Sequence, residues 1–204
     1  MKKNVLIITN FIIILLLAVS YILGHYFINY PMPFNFWYSV KESGFEYFPF
    51  ILAATALIAY LVSCLSVKSS NFKLRFLIFY PIVNFTVLLF FIITSENELI
   101  KNQKELSKKE TEYILQAQKD IKNDRVSFSY AGGLSFSVYN EHVLSRIRDI
   151  RKKYGITYEN TGCVSDPMTT EAQKKYRETV KPYLEKRNGK GWEYRMQQEI
   201  NSLK

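Results

Sequence analysis

Charge is nearly missing from the first half of this 204-residue chain. Of its 27 basic and 18 acidic residues, only Lys2, Lys3, Lys41, Glu42, Glu46, Lys68, Lys73 and Arg75 precede Ser95. Such segregation argues against one water-soluble core and implies two solvents, lipid for the first part and water for the second. Cysteine is scarce too. Cys64 lies in an apolar segment and Cys163 in the charged part, so a disulfide framework is excluded as the basis of the fold. Histidine is limited to His25 and His142, which leaves no ligand set for a metal, and no cofactor is expected. P-loop, GxGxxG, HExxH, paired CxxC and GxSxG motifs are all lacking.

What is present begins with three uncharged runs, Val5 to Leu23, Tyr47 to Val67 and Phe76 to Thr94. About 20 residues of helix cross a hydrocarbon core roughly 30 Å thick. Backbone groups in lipid must bond among themselves, so each run is predicted to be a spanning helix. Asn10, Asn84 and Thr86 are expected to face another helix, because an unpaired polar group in lipid is costly. Pro81 is expected to kink the third span.

Basic residues near the span ends set the orientation. Lys2 and Lys3 precede the first span, and Lys68, Lys73 and Arg75 crowd the second connection. The first connection has Lys41 against Glu42 and Glu46. This pattern puts the N-terminus in the cytoplasm and the C-terminal part outside it, although Lys101, Lys104, Lys108 and Lys109 pull the other way. Ala18-Val19-Ser20 loosely resembles a signal-peptide cleavage site, but the apolar run continues past it, so an uncleaved anchor is expected. The first connection is dense in aromatics (Tyr26, Phe27, Tyr30, Phe34, Phe36, Trp37, Tyr38 and Phe45), which reads as a belt at the lipid headgroups.

Residues 95–124 are rich in Glu, Lys and Gln, with a thin stripe of Ile100, Ile114, Ala117 and Ile121, as suits a helical stalk. Val126-Ser127-Phe128-Ser129-Tyr130 and Leu134-Ser135-Phe136-Ser137-Val138 alternate on either side of Ala131-Gly132-Gly133, a pattern that predicts a β-hairpin. Asn140 is positioned to cap a helix from Glu141 to Tyr154 that closes at Gly155. A short strand at Ile156 to Tyr158 follows, then a helix capped by Thr170, and a last amphipathic helix carrying Trp192, Met196, Ile200 and Leu203. The expected fold is therefore an all-α membrane part of three transmembrane helices at 1–94, the stalk at 95–124 and a small α+β domain with a hairpin at 125–204.

Two groups of residues bear on function. Cys163, His142 and Asp166 are the best catalytic candidates, since a thiol, an imidazole and an orienting acid can form a nucleophilic set. Nothing in their spacing shows that they meet, and a buried structural cysteine is the more common case. Arg146, Arg148, Arg151, Lys152 and Lys153 load one helix and offer contact with an anionic surface, read first as a solvated face and next as a contact for anionic lipid. With the domain outside the cytoplasm, no nucleic acid is expected as partner. The leading expectation is a non-enzymatic protein of the bacterial inner membrane that presents a partner-binding domain outside the cytoplasm. It would act as an accessory subunit, a partner-binding anchor or an immunity-type protein that binds a toxin, with a protein partner or self-association expected. The alternative is a thiol-dependent membrane enzyme using Cys163, and transport is a third reading disfavoured by three spans without charge.

Overall fold

The computed structural model describes residues 3–65, 71–130, 140–162 and 166–203. The chain forms two compact units, Met1–Gln103 and Lys104–Lys204. It is mostly helical: α1 (Lys3–Ile28), α2 (Phe36–Glu42), a 3₁₀ turn (Phe45–Tyr47), α3 (Phe48–Cys64), α4 (Phe72–Lys122), β1 (Val126–Tyr130), α5 (Glu141–Lys153), β2 (Ile156–Asn160), α6 (Pro167–Asn188) and α7 (Trp192–Asn201). Three of the helical segments, Lys3–Ile28, Phe45–Cys64 and Phe72–Lys122, are long and apolar enough to cross a membrane. The third expected span and the expected stalk form a single helix, because no Gly or Pro separates Thr94 from Lys122.

The first unit packs around Leu17, Phe48 and Leu88. Tyr21 meets Phe91 edge-on at 5.6 Å and lies 5.8 Å from Phe48. Phe45 stacks on Phe48 at 5.2 Å, so this member of the expected belt turns into the core. Phe34, Phe36, Trp37 and Tyr38 are exposed, Trp37 to 78% on α2, while Tyr26, Phe27 and Tyr30 are half-buried. Phe11, Phe50 and Phe90 are also exposed on the outer sides of their helices. Monomers in water rarely show contiguous apolar surface of this kind.

Several polar groups within the apolar helices bond to their own helix, and Thr55 and Asn10 also reach across the bundle. Thr55 Oγ1 donates to Asn84 Oδ1 at 2.9 Å, and Asn84 Nδ2 donates to the Tyr80 carbonyl at 3.0 Å. Asn10 Nδ2 donates to the Leu77 carbonyl at 3.1 Å. Thr86 departs from expectation. It is exposed and donates to the Ile82 carbonyl of its own helix, which removes the need for a second helix. Helices α1 and α4 approach closely at Gly24, where a Cβ would lie 2.8 Å from Ser95 Oγ. Asn102 Nδ2 then donates to the carbonyl of Ile28, the last residue of α1.

In the second unit, the strand at Val126–Tyr130 forms, but its partner among the described residues is β2 rather than a neighbouring hairpin arm. The two strands are parallel, in register from Val126 beside Ile156 to Tyr130 beside Asn160. A parallel pair needs a crossover, and α5 lies between the two strands in the chain. The second arm expected at 134–138 and its turn at 131–133 lie outside the described residues. Val126 and Ile156 are buried against Ile147, Tyr154, Val180, Leu184, Trp192 and Met196. Their helices present these residues four apart, as in Ala172, Tyr176, Val180 and Leu184 of α6, so one face of each helix is apolar.

Caps fix the helix ends. Asn140 accepts from the His142 N–H at the start of α5. Helix α6 starts earlier than the sequence pattern suggests, with Asp166 rather than Thr170 as its cap. The Asp166 carboxylate accepts from the N–H groups of Met168 and Thr169, and Pro167 sits at the first helical position, where a missing N–H costs nothing. Pro182 does not end α6, which continues to Asn188.

Candidate functional site

The second unit holds an open cleft of about 970 Å³. The end of α4 supplies Tyr113, Gln116 and Asp120, the sheet supplies Ser127, Ser129, Thr157 and Glu159, and α6 supplies Gln173, Tyr176 and Arg177. Alternation along β1 and β2 explains the polar floor. The same period of two that buries Val126 and Ile156 turns Ser127, Ser129, Thr157 and Glu159 to the other side. Asp124, Arg125, Lys152, Gly155 and Arg187 also line it, as do the apolar Phe128 and Ile156.

Tyr176 is the pivot. Its phenol donates to Asp120 Oδ2 at 2.7 Å and accepts from the Ser127 N–H at 3.0 Å. Burial pushes the phenol pKa well up, and the hydrogen bond to the Asp120 carboxylate adds to it, so the group stays neutral. Gln116 Nε2 donates to the other Asp120 oxygen at 2.7 Å.

At the far end, Asp124 takes a left-handed backbone conformation (φ 51°). Its carboxylate accepts from the Tyr183 hydroxyl, and from Arg187 Nε at 2.7 Å and Nη2 at 3.1 Å. The bonds from these two residues, the tyrosine's first, hold the Asp124 carboxyl below the usual range. The same guanidinium donates to the Lys153 carbonyl, and Asn188 Nδ2 donates to that of Tyr154, which satisfies two carbonyls left open at the end of α5.

Of the three catalytic candidates, the described ones, His142 and Asp166, belong to different elements, α5 and the start of α6. His142 is exposed in the first turn of α5. Asp166 is engaged by Lys109 at 2.9 Å and by Thr169, so its carboxyl, held down chiefly by the Lys109 hydrogen bond, falls to about 2. Cys163 lies outside the described residues. Among the described residues, no three His, Cys, Asp or Glu side chains gather as a metal site requires.

The basic set divides among several tasks. Lys153 pairs with Glu199 at 3.0 Å, and Arg151 lies over the Tyr158 ring at 4.3 Å. Lys152 lines the cleft, while Arg146 and Arg148 are solvated. Sequence reasoning missed the cleft itself. The available signal was Tyr176, a hydroxyl on an otherwise apolar helix face, which demands a buried partner. No protein-family model matches the chain, and no curated protein or solved structure matches it either.

Proposed function

We propose that the chain is an integral protein of a bacterial inner membrane that holds its second unit outside the cytoplasm, where the unit binds a partner without catalysing a reaction. The observation that carries this reading is a contrast between the two units. The first exposes large apolar side chains along three long helices, and the second opens a cleft in which Asp120, Gln116, Tyr176 and the Ser127 N–H are already bonded together. A hydrogen-bonded scaffold around an open cavity suits recognition, because it preorganises the walls.

Orientation rests on charge. Lys73 and Arg75 begin α4, and Arg75 Nη1 donates to the Leu65 carbonyl just beyond α3, which holds a cation at that end. The opposite ends of α1 and α3 carry exposed aromatic rings and a balanced set of charges. Positive charge favours the cytoplasmic side. An accessory subunit and an immunity-type protein that sequesters a toxin both fit this reading. Affinity capture of the full chain in mild detergent is expected to recover a partner, or a second copy, in amounts comparable with the chain. Recovery of neither would overturn the reading.

A further inference from the structure

We infer that α2 lies in the lipid headgroup layer on the side where α1 ends, and that this layer reaches along α4 as far as Asn102. This rests on the membrane reading of the chain and not on its binding role.

Helix α2 is fastened at both ends. Asn35 caps it by accepting from the Tyr38 N–H, and Phe34, just before the cap, meets Tyr26 of α1 edge-on at 5.4 Å. Behind it, Phe45 stacks on Phe48, and the Tyr21 hydroxyl donates to the Gly44 carbonyl at 3.4 Å.

The inward residue of α2 is Ser39, 3% exposed. At about 100° per residue, Trp37 and Lys41 fall opposite Ser39 and share the outward face. Phe36 and Tyr38, also exposed, flank them. Burying a large apolar side chain is worth about 1.5–3 kcal/mol, so rings that are fixed yet uncovered call for an apolar medium. An indole four residues from a lysine suits the headgroup boundary, where the ring sits in the apolar margin and the ammonium reaches water.

Continuity identifies the medium as lipid. Ile28 at the end of α1, with Tyr47 and Phe50 around the start of α3, is exposed on the flanks of this connection. The rings of α2 therefore extend the apolar outer surface of the spanning helices. Lys41 against Glu42 and Glu46 leaves the connection near neutral, which gives a charged partner no hold.

The reach along α4 follows from its pairing with α1. The two run side by side: Asn10 bonds to the Leu77 carbonyl, Gly24 closes on Ser95, and Asn102 Nδ2 donates to the Ile28 carbonyl at 2.8 Å. The 26 residues of α1 are about 39 Å long, close to a bilayer with its headgroups, roughly 40–45 Å. Asn102 is level with the end of α1, so α4 stays in the lipid layer past Thr94, where its uncharged run stops. Ile100 is accordingly exposed, and the first compact unit ends at Gln103. Glu98 and Lys101, paired at 3.1 Å, then stand among the headgroups.

The test reads tryptophan emission from the full chain in vesicles of zwitterionic lipid, after flotation on a density gradient. Trp37 and Trp192 are the two tryptophans, so the difference between the unaltered chain and Trp37→Phe isolates Trp37. Its emission is expected to be lost more to lipids brominated beside the headgroup than to lipids brominated at the chain ends, and least to aqueous acrylamide. The emission added by Ile100→Trp in the Trp37→Phe background should behave in the same way.

Dominant quenching of Trp37 by acrylamide would place α2 in water, and strongest quenching from the chain ends would place it in the hydrocarbon. Quenching by neither agent would mean that a second copy covers the rings. Each of these overturns the inference. Acrylamide quenching of Ile100→Trp would end the lipid layer short of Ile100 and overturn the reach to Asn102. A chain that does not float with the vesicles removes the membrane reading as well.

Discussion

Asn10 of α1 donates its side-chain N–H to the main-chain carbonyl of Leu77 in α4, at 3.1 Å. Leu77 is the residue whose helical donor would be residue 81, and Pro81 has no N–H to give. The proline therefore opens a carbonyl inside an apolar unit, and an asparagine from another helix closes it. The same nitrogen donates to the Leu6 carbonyl at 2.8 Å, while Asn10 Oδ1 is buried without a partner.

This pairing is expected to appear as coupling in a double-mutant cycle. Asn10→Leu should destabilise the chain in a detergent unfolding titration, and Pro81→Ala should remove most of that cost by restoring the missing donor. The expected coupling is about 0.6–1.5 kcal/mol, the range of interhelical hydrogen bonds in membranes. Additive effects of the two changes would show that the bond contributes nothing.

Acid should loosen the second unit through Asp166. Its folded-state pKa of about 2 lies below the ordinary carboxylate value of about 3.9, so its contribution is full above that ordinary value and is lost as pH falls toward 2. Because the pair with Lys109 is partly exposed, solvent screening leaves about 1 kcal/mol from the Lys109 bond and the helix cap together. Thermal unfolding between pH 5 and pH 2 should show a smaller loss for Asp166→Asn than for the unaltered chain. Parallel curves would contradict the assignment.

Tyr176→Phe keeps the ring but strands the Asp120 carboxylate and the Ser127 N–H. The expected cost is about 1–3 kcal/mol, the penalty of leaving a buried polar group unpaired. Thermal unfolding measures it, and an unchanged midpoint would mean that water replaces the hydroxyl.

Gly155→Ala should be worse tolerated than an ordinary glycine substitution. The residue has φ 73°, and an added Cβ would sit 2.7 Å from Arg187 Cζ. A cost of about 1–3 kcal/mol follows from backbone strain together with displacement of the guanidinium from Asp124. If the variant melts within a degree of the parent, the Arg187 contact has been placed wrongly.

The large features were legible because their signals are long. Uncharged runs marked all three apolar helices, and residues four apart, such as Trp192, Met196 and Ile200, marked the buried helix faces. The parallel partner and one cap were not legible. Val126–Tyr130 pairs in parallel with a strand beyond α5, because strand period does not encode partner choice, while the hairpin arm expected at 134–138 lies outside the described residues. Thr170 looked like a cap, but Asp166 followed by proline starts the helix sooner. The cleft was invisible because Asp120, Ser127 and Tyr176 meet only after three elements fold together. Of the basic helix, the sequence could not separate Lys152, at the cleft, from Lys153, taken by Glu199.

The central claim is that the second unit stands outside the cytoplasm at the end of a membrane-spanning chain. Tyr194 is 69% exposed on α7, so a single cysteine there, with Cys64 and Cys163 replaced by serine, reports where that unit lies. A membrane-impermeant thiol reagent is expected to label Tyr194→Cys in intact cells to the same extent as in opened ones. Labelling only after the membrane is opened would place the unit in the cytoplasm and contradict the account.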